Sequence, residues 1–427
     1  SMKTISDKSG HFTLILPVGK QIIQFSHTGY QTEEIERNIY QNMESIEMKM
    51  YPGILLKEVQ IVRKVPNKRL SDPIIGTHTL NATEIAKEPA LFGEADILKS
   101  IQNIAGVQTS SEGNSTYSVR GGTPDENLIL LDNCILYNAS HLIGFLSVFN
   151  NDMVKQAVFY KGYAPAKYGG RLSSVLDVST IDSISLKTEG KAGIGIIASR
   201  LSLNTPLSAN TQLLIGARRS YADLFFELSP DPNLRKSSIY FYDTNLKLNH
   251  RFSNNSFLSL SFTINYGNTT ASLIWNHSFN SKIHLSSTAS YTHYGYDLSS
   301  DLEIDKIKWN SALSSITGMV DVLFSMNKKH TFSLGTSFSK HFFHPCKIGS
   351  PQIYNYEVNA SDGEEVTLYL SNEQKVNSQF IVSYGIRGSI FHNQKLYTAL
   401  DPRISGVVKL AENISLKASY AHNSQFI

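Results

Sequence analysis

At 427 residues the chain is too long for one average domain, and two or three are expected. Charged residues make up 18%, the net charge is +3 and aromatics reach 10%, with 21 tyrosines and 21 phenylalanines. That balance excludes a nucleic-acid binder, which needs a concentrated basic face. The lack of a long apolar run excludes a spanning helix, but not a spanning β-barrel.

Two cysteines, Cys134 and Cys346, offer neither a disulfide framework nor metal-ligand spacing. The 13 histidines are scattered; His341 and His344 beside Cys346 come nearest to a metal motif and read as a chance cluster in a strand-end loop. No nucleophile elbow, P-loop or paired-carboxylate motif stands out, so no catalytic residue, metal or cofactor is assigned and the chain is not read as an enzyme. Ser1-Met2 reads as an added start on a piece of something longer, without a signal peptide.

In chain order, residues 3 to about 50 read as a small β-module, with turn signals at Lys8-Ser9-Gly10, Pro17-Val18-Gly19 and Thr28-Gly29. This stretch resembles the carboxypeptidase-regulatory-like domain, an Ig-like sandwich found ahead of receptors in Bacteroidetes-type organisms, lacking its first strand here. That domain carries no catalytic residues. A short β-prone run follows, Leu56, Lys57, Glu58, Val59, Gln60, Ile61 and Val62, and then a basic segment with Arg63, Lys64, Lys68 and Arg69 that reads as a solvated linker.

From Thr83 the periodicity changes. Ile97, Leu98, Ile101 and Ile104 share one helical face, with Glu94 and Asp96 near the start and Gly106 at the end, which predicts a helix over 95–105. Gly106-Val107, then Val119-Arg120-Gly121-Gly122, then Leu131-Asp132-Asn133 punctuate the stretch that follows. Next comes KQAVFYKGYAPAKYGGRLSSVLDVS, Lys155 to Ser179, in which two β-prone runs flank Gly162, Tyr168, Gly169, Gly170 and Arg171. Paired glycines between such runs mark a sharp bend or a close backbone approach.

Together these pieces resemble the plug domain of TonB-dependent outer-membrane receptors, which ends in a "YKG…YGGRLSSVLDV"-like segment. The pattern's "LxDG"-like turn has Asn133 where glycine is usual, and asparagine tolerates the left-handed conformation such a turn needs. The resemblance implies that Arg120 pairs with carboxylates on the barrel wall. It also offers LKEVQIV as a TonB box, a peptide that adds a strand to its partner's sheet edge; the same run reads equally well as the last strand of the small module.

Beyond Ser179 the texture is one of period-two alternation. Leu258, Leu260, Phe262 and Ile264 oppose Ser259, Ser261, Thr263 and Asn265, and Tyr240, Tyr242, Leu246 and Leu248 oppose Asp243, Asn245 and Lys247. Such a wall suits lipid on one face and a polar lumen on the other. Ser253-Asn254-Asn255, Asn327-Lys328-Lys329 and Ala411-Glu412-Asn413 read as tight turns, whereas 222–237, 298–308 and 345–364 read as long loops on the opposite side. At roughly 20 residues per strand with its connection, about a dozen strands fit, against about 22 in plugged transporters.

The expected fold is therefore mainly β: a partial Ig-like sandwich (1–55), a TonB-box candidate and linker (56–80), an α+β plug (81–180) and the first part of a 22-strand-type antiparallel transmembrane β-barrel (181–427). The resemblance implies a receptor in the outer membrane of a Gram-negative bacterium, surrounded by outer-membrane lipid. It implies active uptake of a scarce nutrient, driven by the TonB complex (TonB/ExbB/ExbD). The substrate stays open among ferric siderophore, cobalamin, glycan and peptide. Tyr168-Gly169-Gly170-Arg171 departs from the "YGSRAANGV" of SusC-type glycan importers, which leaves a surface lipoprotein partner open as well. The alternative reading is a non-transporting β-rich secreted, signalling or interaction module.

Overall fold

The computed structural model describes residues 3–7, 9–17, 19–26, 33–39, 46–49, 72–85, 87, 94–109, 115–141, 144, 146–221, 223, 230–231, 240–265, 267–302, 305–349, 356–411 and 413–427. The chain divides into two compact units, residues 1–60 and 61–427. In the first, β1 (Gly19–Phe25) and β2 (Glu33–Ile39) form one antiparallel pair with Ile23 buried. Beside the expected turn at Lys8-Ser9-Gly10, of which Lys8 lies outside the described residues, the Asp7 carboxylate accepts from Ser9 N at 2.8 Å and His11 N at 2.9 Å.

The second unit opens with a mixed inner domain. Its elements are β3 (Thr77–Asn81), α1 (Ala82–Ile85), α2 (Ile97–Gln102), β4 (Val107–Thr109), β5 (Tyr117–Val119), β6 (Asn127–Leu131), β7 (Cys134–Ile135), β8 (Ser140–His141), β9 (Leu146–Ser147), β10 (Val154–Lys161) and β11 (Ser174–Thr180). The central sheet runs β3-β10-β11-β6-β7, with β11 parallel to β6 and the other pairs antiparallel. The domain thus begins before the expected boundary at 81, because β3 is an edge strand of its sheet.

The predicted helix forms and is shorter than expected. Asp96 caps it, its carboxylate accepting from Leu98 N at 2.7 Å, and Ile97, Leu98 and Ile101 are fully buried against Phe159, Leu176 and Val178. An N-cap carboxylate satisfies backbone donors that the first turn leaves orphaned, so the helix starts at Ile97. Gly106, at φ +83°, turns the chain into β4.

The rest is one antiparallel sheet, the wall. It comprises β12 (Glu189–Ile194), β13 (Ala198–Ser208), β14 (Thr211–Ser220), β15 (Tyr242–Ser253), β16 (Ser256–Asn265), β17 (Asn268–Ser278), β18 (Ile283–Leu302), β19 (Asp305–Ser325) and β20 (His330–Gly349). It continues with β21 (Tyr356–Val358), β22 (Ser361–Lys375), β23 (Phe380–Asn393), β24 (Lys395–Ala411) and β25 (Ile414–Ala421). Strands pair in chain order except that β22 joins β20 directly and β21 folds back on β20. Among the described residues β12 and β25 do not pair, so the sheet is open. This agrees with the expectation of about a dozen strands.

The alternation holds residue by residue. Ser259, Ser261, Thr263 and Asn265 are buried, as are Asp243, Asn245, Lys247 and Asn249, while Leu260 (48% exposed), Ile316 (52%) and Leu368 (60%) face out. A soluble domain would place these faces the other way round; polar inside and apolar outside is the arrangement lipid requires.

Two connections differ from expectation. The stretches read as loops over 298–308 and 345–364 are largely strand: β18 and β19 pair up to Leu302 and Asp305, and β20 reaches Gly349. These strands have 20, 21 and 20 residues, about twice the 9–11 needed to cross a bilayer, so their hairpins project beyond it. The opposite turns are tight, and three share one device. Asn280 Oδ1 accepts from Lys282 N (2.8 Å) and Ile283 N (3.0 Å), Asn327 Oδ1 from Lys329 N (2.8 Å) and His330 N (2.9 Å), and Asn377 Oδ1 from Gln379 N (2.8 Å) and Phe380 N (2.7 Å).

Candidate functional site

The site is the seam where the wall closes on the inner domain. Leu131 and Cys134 pair across a two-residue turn with Asp132 at φ +46° and Asn133 at φ +64°. Two left-handed residues are what a type I′ hairpin turn demands, so Asn133 replaces glycine without breaking the turn. Asn133 Nδ2 also donates to Thr288 Oγ1 of β18 at 3.1 Å.

The turn points Asp132 at the wall. Its carboxylate accepts from Lys247 Nζ of β15 (3.2 Å), Ser261 Oγ of β16 (3.0 Å), Thr180 N (3.0 Å) and the Thr180 hydroxyl. Lys247 also donates to Thr180 Oγ1 at 2.8 Å. One carboxylate therefore joins the β6–β7 turn, the last residue of β11 and two wall strands. Burial alone would push the Asp132 carboxyl up, but the Lys247 ammonium and the Thr180 hydrogen bonds outweigh it and hold the carboxyl below its ordinary range.

A second junction centres on Arg218 of β14. Its Nε donates to Asp243 Oδ2 (2.6 Å), Nη1 to Glu94 Oε2 (3.1 Å) and Nη2 to Ser147 O (2.6 Å). His141 Nε2 lies 2.6 Å from Asp243 Oδ1, and the His141 ring stacks on Phe241 at 4.2 Å. Arg218 itself packs over Phe241, 5.0 Å from the ring centroid. In the full-length protein, Arg218→Ala should loosen the inner domain by ~3–5 kcal/mol, since removing one partner strands buried charges. Arg218→Lys should recover less than half, because an ammonium cannot reproduce the guanidinium fork. The measurement is the urea midpoint for loss of amide protection over 94–102; an unchanged midpoint in Arg218→Ala would show that Arg218 does not hold the domain.

The third junction grips the segment between β10 and β11. Arg403 Nη1 of β24 donates to Ala164 O and Pro165 O at 2.8 Å each, and Arg387 Nη1 of β23 to Lys167 O at 3.0 Å. A Cβ on Gly169 would sit 2.4 Å from Arg387 Nε, so this glycine admits the guanidinium. Gly170 is left-handed at φ +77°, Tyr168 donates to Asp177 Oδ2 at 2.6 Å, and Arg171 Nη1 donates to Gly170 O at 2.9 Å.

Arg120 does not meet a wall carboxylate among the described residues. It occupies a tight turn, with Arg120 at φ +52°, Gly121 at φ +85° and Gly122 N donating to Val119 O at 3.0 Å. Its side chain is exposed, where a Cβ on Gly162 would lie 2.6 Å from Arg120 Nη1. Burial and the nearby Arg120 charge together pull the Lys161 ammonium below its ordinary range. Among the described residues, the wall cations Lys247, Arg218, Arg387 and Arg403 meet carboxylates and carbonyls of the inner domain.

Tyr137 and Asn138 also reach the wall, Tyr137 bonding Ser315 and Asn138 Nδ2 donating to Tyr294 Oη at 3.2 Å. Beside them a cavity of about 360 Å³ lies between Asp125, Tyr137 and Arg171 and the wall residues Tyr294 and Leu313. Its wall lining, Tyr294 and Ser311 to Leu313, lies on the half of β18 and β19 nearer their projecting hairpin. Cys134 is buried at the seam, and burial with the Asp132 charge pushes its thiol up to about 12, so it is inert at neutral pH. Among the described residues no group of three His, Cys, Asp or Glu side chains is placed to hold a metal.

Two family models match this architecture: TonB-dependent Receptor Plug Domain over residues 77–175, and TonB dependent receptor-like, beta-barrel over residues 194–425. The chain belongs to the TonB-dependent receptor family. It is an outer-membrane protein of Gram-negative type, its inner domain is the plug, and its family consists of transporters and receptors, not enzymes. Solved structures agree on the fold. The siderophore receptor PirA from Acinetobacter baumannii matches at 14% identity and TM-score 0.60, covering 82% of this chain and 61% of that one. The ferric enterobactin receptor PfeA (R480A mutant) from Pseudomonas aeruginosa matches at 14% and 0.62, covering 82% and 63%. The ferric-catecholate import receptor Fiu from E. coli K12 matches at 11% and 0.63, covering 83% and 70%. The chain thus spans about three-fifths of the length of the first two. No curated protein matches it.

The box candidate, Leu56 to Val62, lies outside the described residues. Sequence reasoning found Asp132 as a turn residue and placed Asp243 and Lys247 on the polar face of β15, but missed what they join. Glu94 was read only as an acid near the helix start, and Arg218, His141, Arg387 and Arg403 were not singled out at all; the one available signal was charge on lumen-facing strand positions.

Proposed function

We propose that this chain is the plug and first part of the barrel of a receptor that imports a scarce nutrient across the outer membrane. The observation carrying this reading is the seam itself: a small domain held inside an apolar-faced wall by buried ion pairs and carbonyl contacts rather than by a continuous apolar core. Polar seams of this kind can be remade after opening, since Asp132, Lys247, Arg218 and Glu94 each have a defined partner to return to. The nutrient lodges in the cavity above Tyr137 and Arg171, on the side of the projecting hairpins. The TonB complex, with ExbB and ExbD, pulls from the opposite side through the run at Leu56–Val62, which pairs by strand addition. The β1–β2 pair supports the small module expected ahead of the plug. The carboxylates expected to pair with Arg120 belong, in this reading, to wall strands beyond those described.

The test is energised accumulation. Cells carrying the full-length receptor should take up a labelled nutrient from a panel of ferric siderophores, cupric ion, cobalamin, glycans and peptides, and collapsing the proton-motive force should stop it. Passive, force-independent entry of every panel member would defeat the transporter reading.

A further inference from the structure

The tight-turn rim carries a feature that uptake leaves unused. Lys282, Lys328 and Lys329 are exposed on two adjacent turns that contain no acidic residue, and Ser325 N donates to Lys282 O at 2.8 Å, which brings those turns together. Just inside them, on the lipid-facing side of β19, β20, β22 and β23, the pairing places Phe324, Phe332, Asn372 and Tyr384 in one cross-strand row. Asn372 Nδ2 donates to Tyr384 Oη at 2.9 Å and lies 3.1 Å from His330 Nδ1. Asn372 is only 3% exposed, and its Oδ1 has no partner.

An amide, an imidazole and a phenol would be costly in hydrocarbon. They stand within about three residues of the turns, or roughly 10 Å at strand rise, which is the depth of lipid headgroups. The opposite rim is mixed in sign: on the β18–β19 hairpin Asp297, Asp301 and Asp305 stand with Lys306 and Lys308.

We infer that this rim binds the headgroup of an anionic phospholipid. Lys282, Lys328 and Lys329 meet the phosphate from the turns, Tyr384 and His330 meet it from the wall, and Phe324 and Phe332 border the acyl chains. The inference rests on the membrane-barrel reading. Charge complementarity selects the occupant: a cationic edge over an aromatic belt fits an anionic lipid and repels a cationic one.

The experiment uses the full-length receptor in nanodiscs of equal parts phosphatidylglycerol and phosphatidylethanolamine, with native mass spectrometry reading the lipids retained on release. The parent should keep phosphatidylglycerol preferentially. A near-surface lysine contributes about 1 kcal/mol toward an anionic lipid, so the triple variant Lys282→Gln, Lys328→Gln, Lys329→Gln should lose about 100-fold in that preference. The control, Lys306→Gln, Lys308→Gln, Lys347→Gln at the other rim, should keep it. Unchanged preference in the first variant, or equal loss in both, overturns the site. A preference that moves to soluble glycerol phosphate added in competition overturns it too, in favour of a free anion. Failure of the receptor to enter the nanodisc at all is a distinct result and counts against the barrel reading instead.

Discussion

Asp132→Ala in the full-length receptor should release the plug at markedly lower urea, because it leaves the Lys247 ammonium buried and unpaired among Thr180 and Ser261. Breaking one side of a buried pair costs ~3–5 kcal/mol. The readout is planar-bilayer conductance, which should appear at lower denaturant while the wall keeps its strand signal. Asp132→Leu combined with Lys247→Met should restore most of the loss, since an apolar pair of similar volume leaves no charge stranded. If the single variant stays closed to the parent's urea concentration, Asp132 is not a seat of the plug. The same carboxyl sets an acid limit. Its folded value lies below the ordinary carboxylate value of about 3.9. Its contribution is therefore fully present above that pH and is lost as pH falls through the depressed folded value. Amide exchange over 127–135 should stay slow at pH 5 and accelerate only well below 4, and Asp132→Ala should abolish that acid step.

The second large effect is on transport. Val59→Pro should abolish energised uptake if Leu56–Val62 joins TonB as an added strand, because proline removes a ladder donor and fixes φ. Val59→Ile should change little, since backbone groups carry that mode of binding. Uptake at the parent's rate in Val59→Pro assigns the run to the small module instead.

The wall was legible from sequence because lipid outside and a polar lumen inside impose strict alternation, and one strand such as Ser256–Asn265 displays it without any partner. The α2 face was legible for the same local reason. The seam was not. Asp132 and Lys247 are 115 positions apart, and His141 and Asp243 are 102 apart; no periodicity links such pairs, and only the closed fold brings them together. The stretch 298–308 reads as loop from its serines and acids, yet backbone pairing continues through it, because a hairpin beyond the bilayer needs no apolar face. The turn that Arg120 occupies is local and was visible, whereas partners for its side chain are not local and no periodicity points to them.

The asparagine-capped turns at Asn280, Asn327 and Asn377 bear on how the wall assembles. A one-residue slip between two strands would turn every lipid-facing side chain into the lumen, so registration must be fixed before a hairpin enters the bilayer. Each of these asparagines fixes it from within its own turn, using donors two and three residues away. Each such hairpin therefore carries its alignment in its own sequence and can close through neighbouring contacts with little loop entropy to overcome. The plug junctions, whose wall contacts join positions from 67 to 239 residues apart, can only form afterwards. Wall first and plug last is the order of assembly these turns favour.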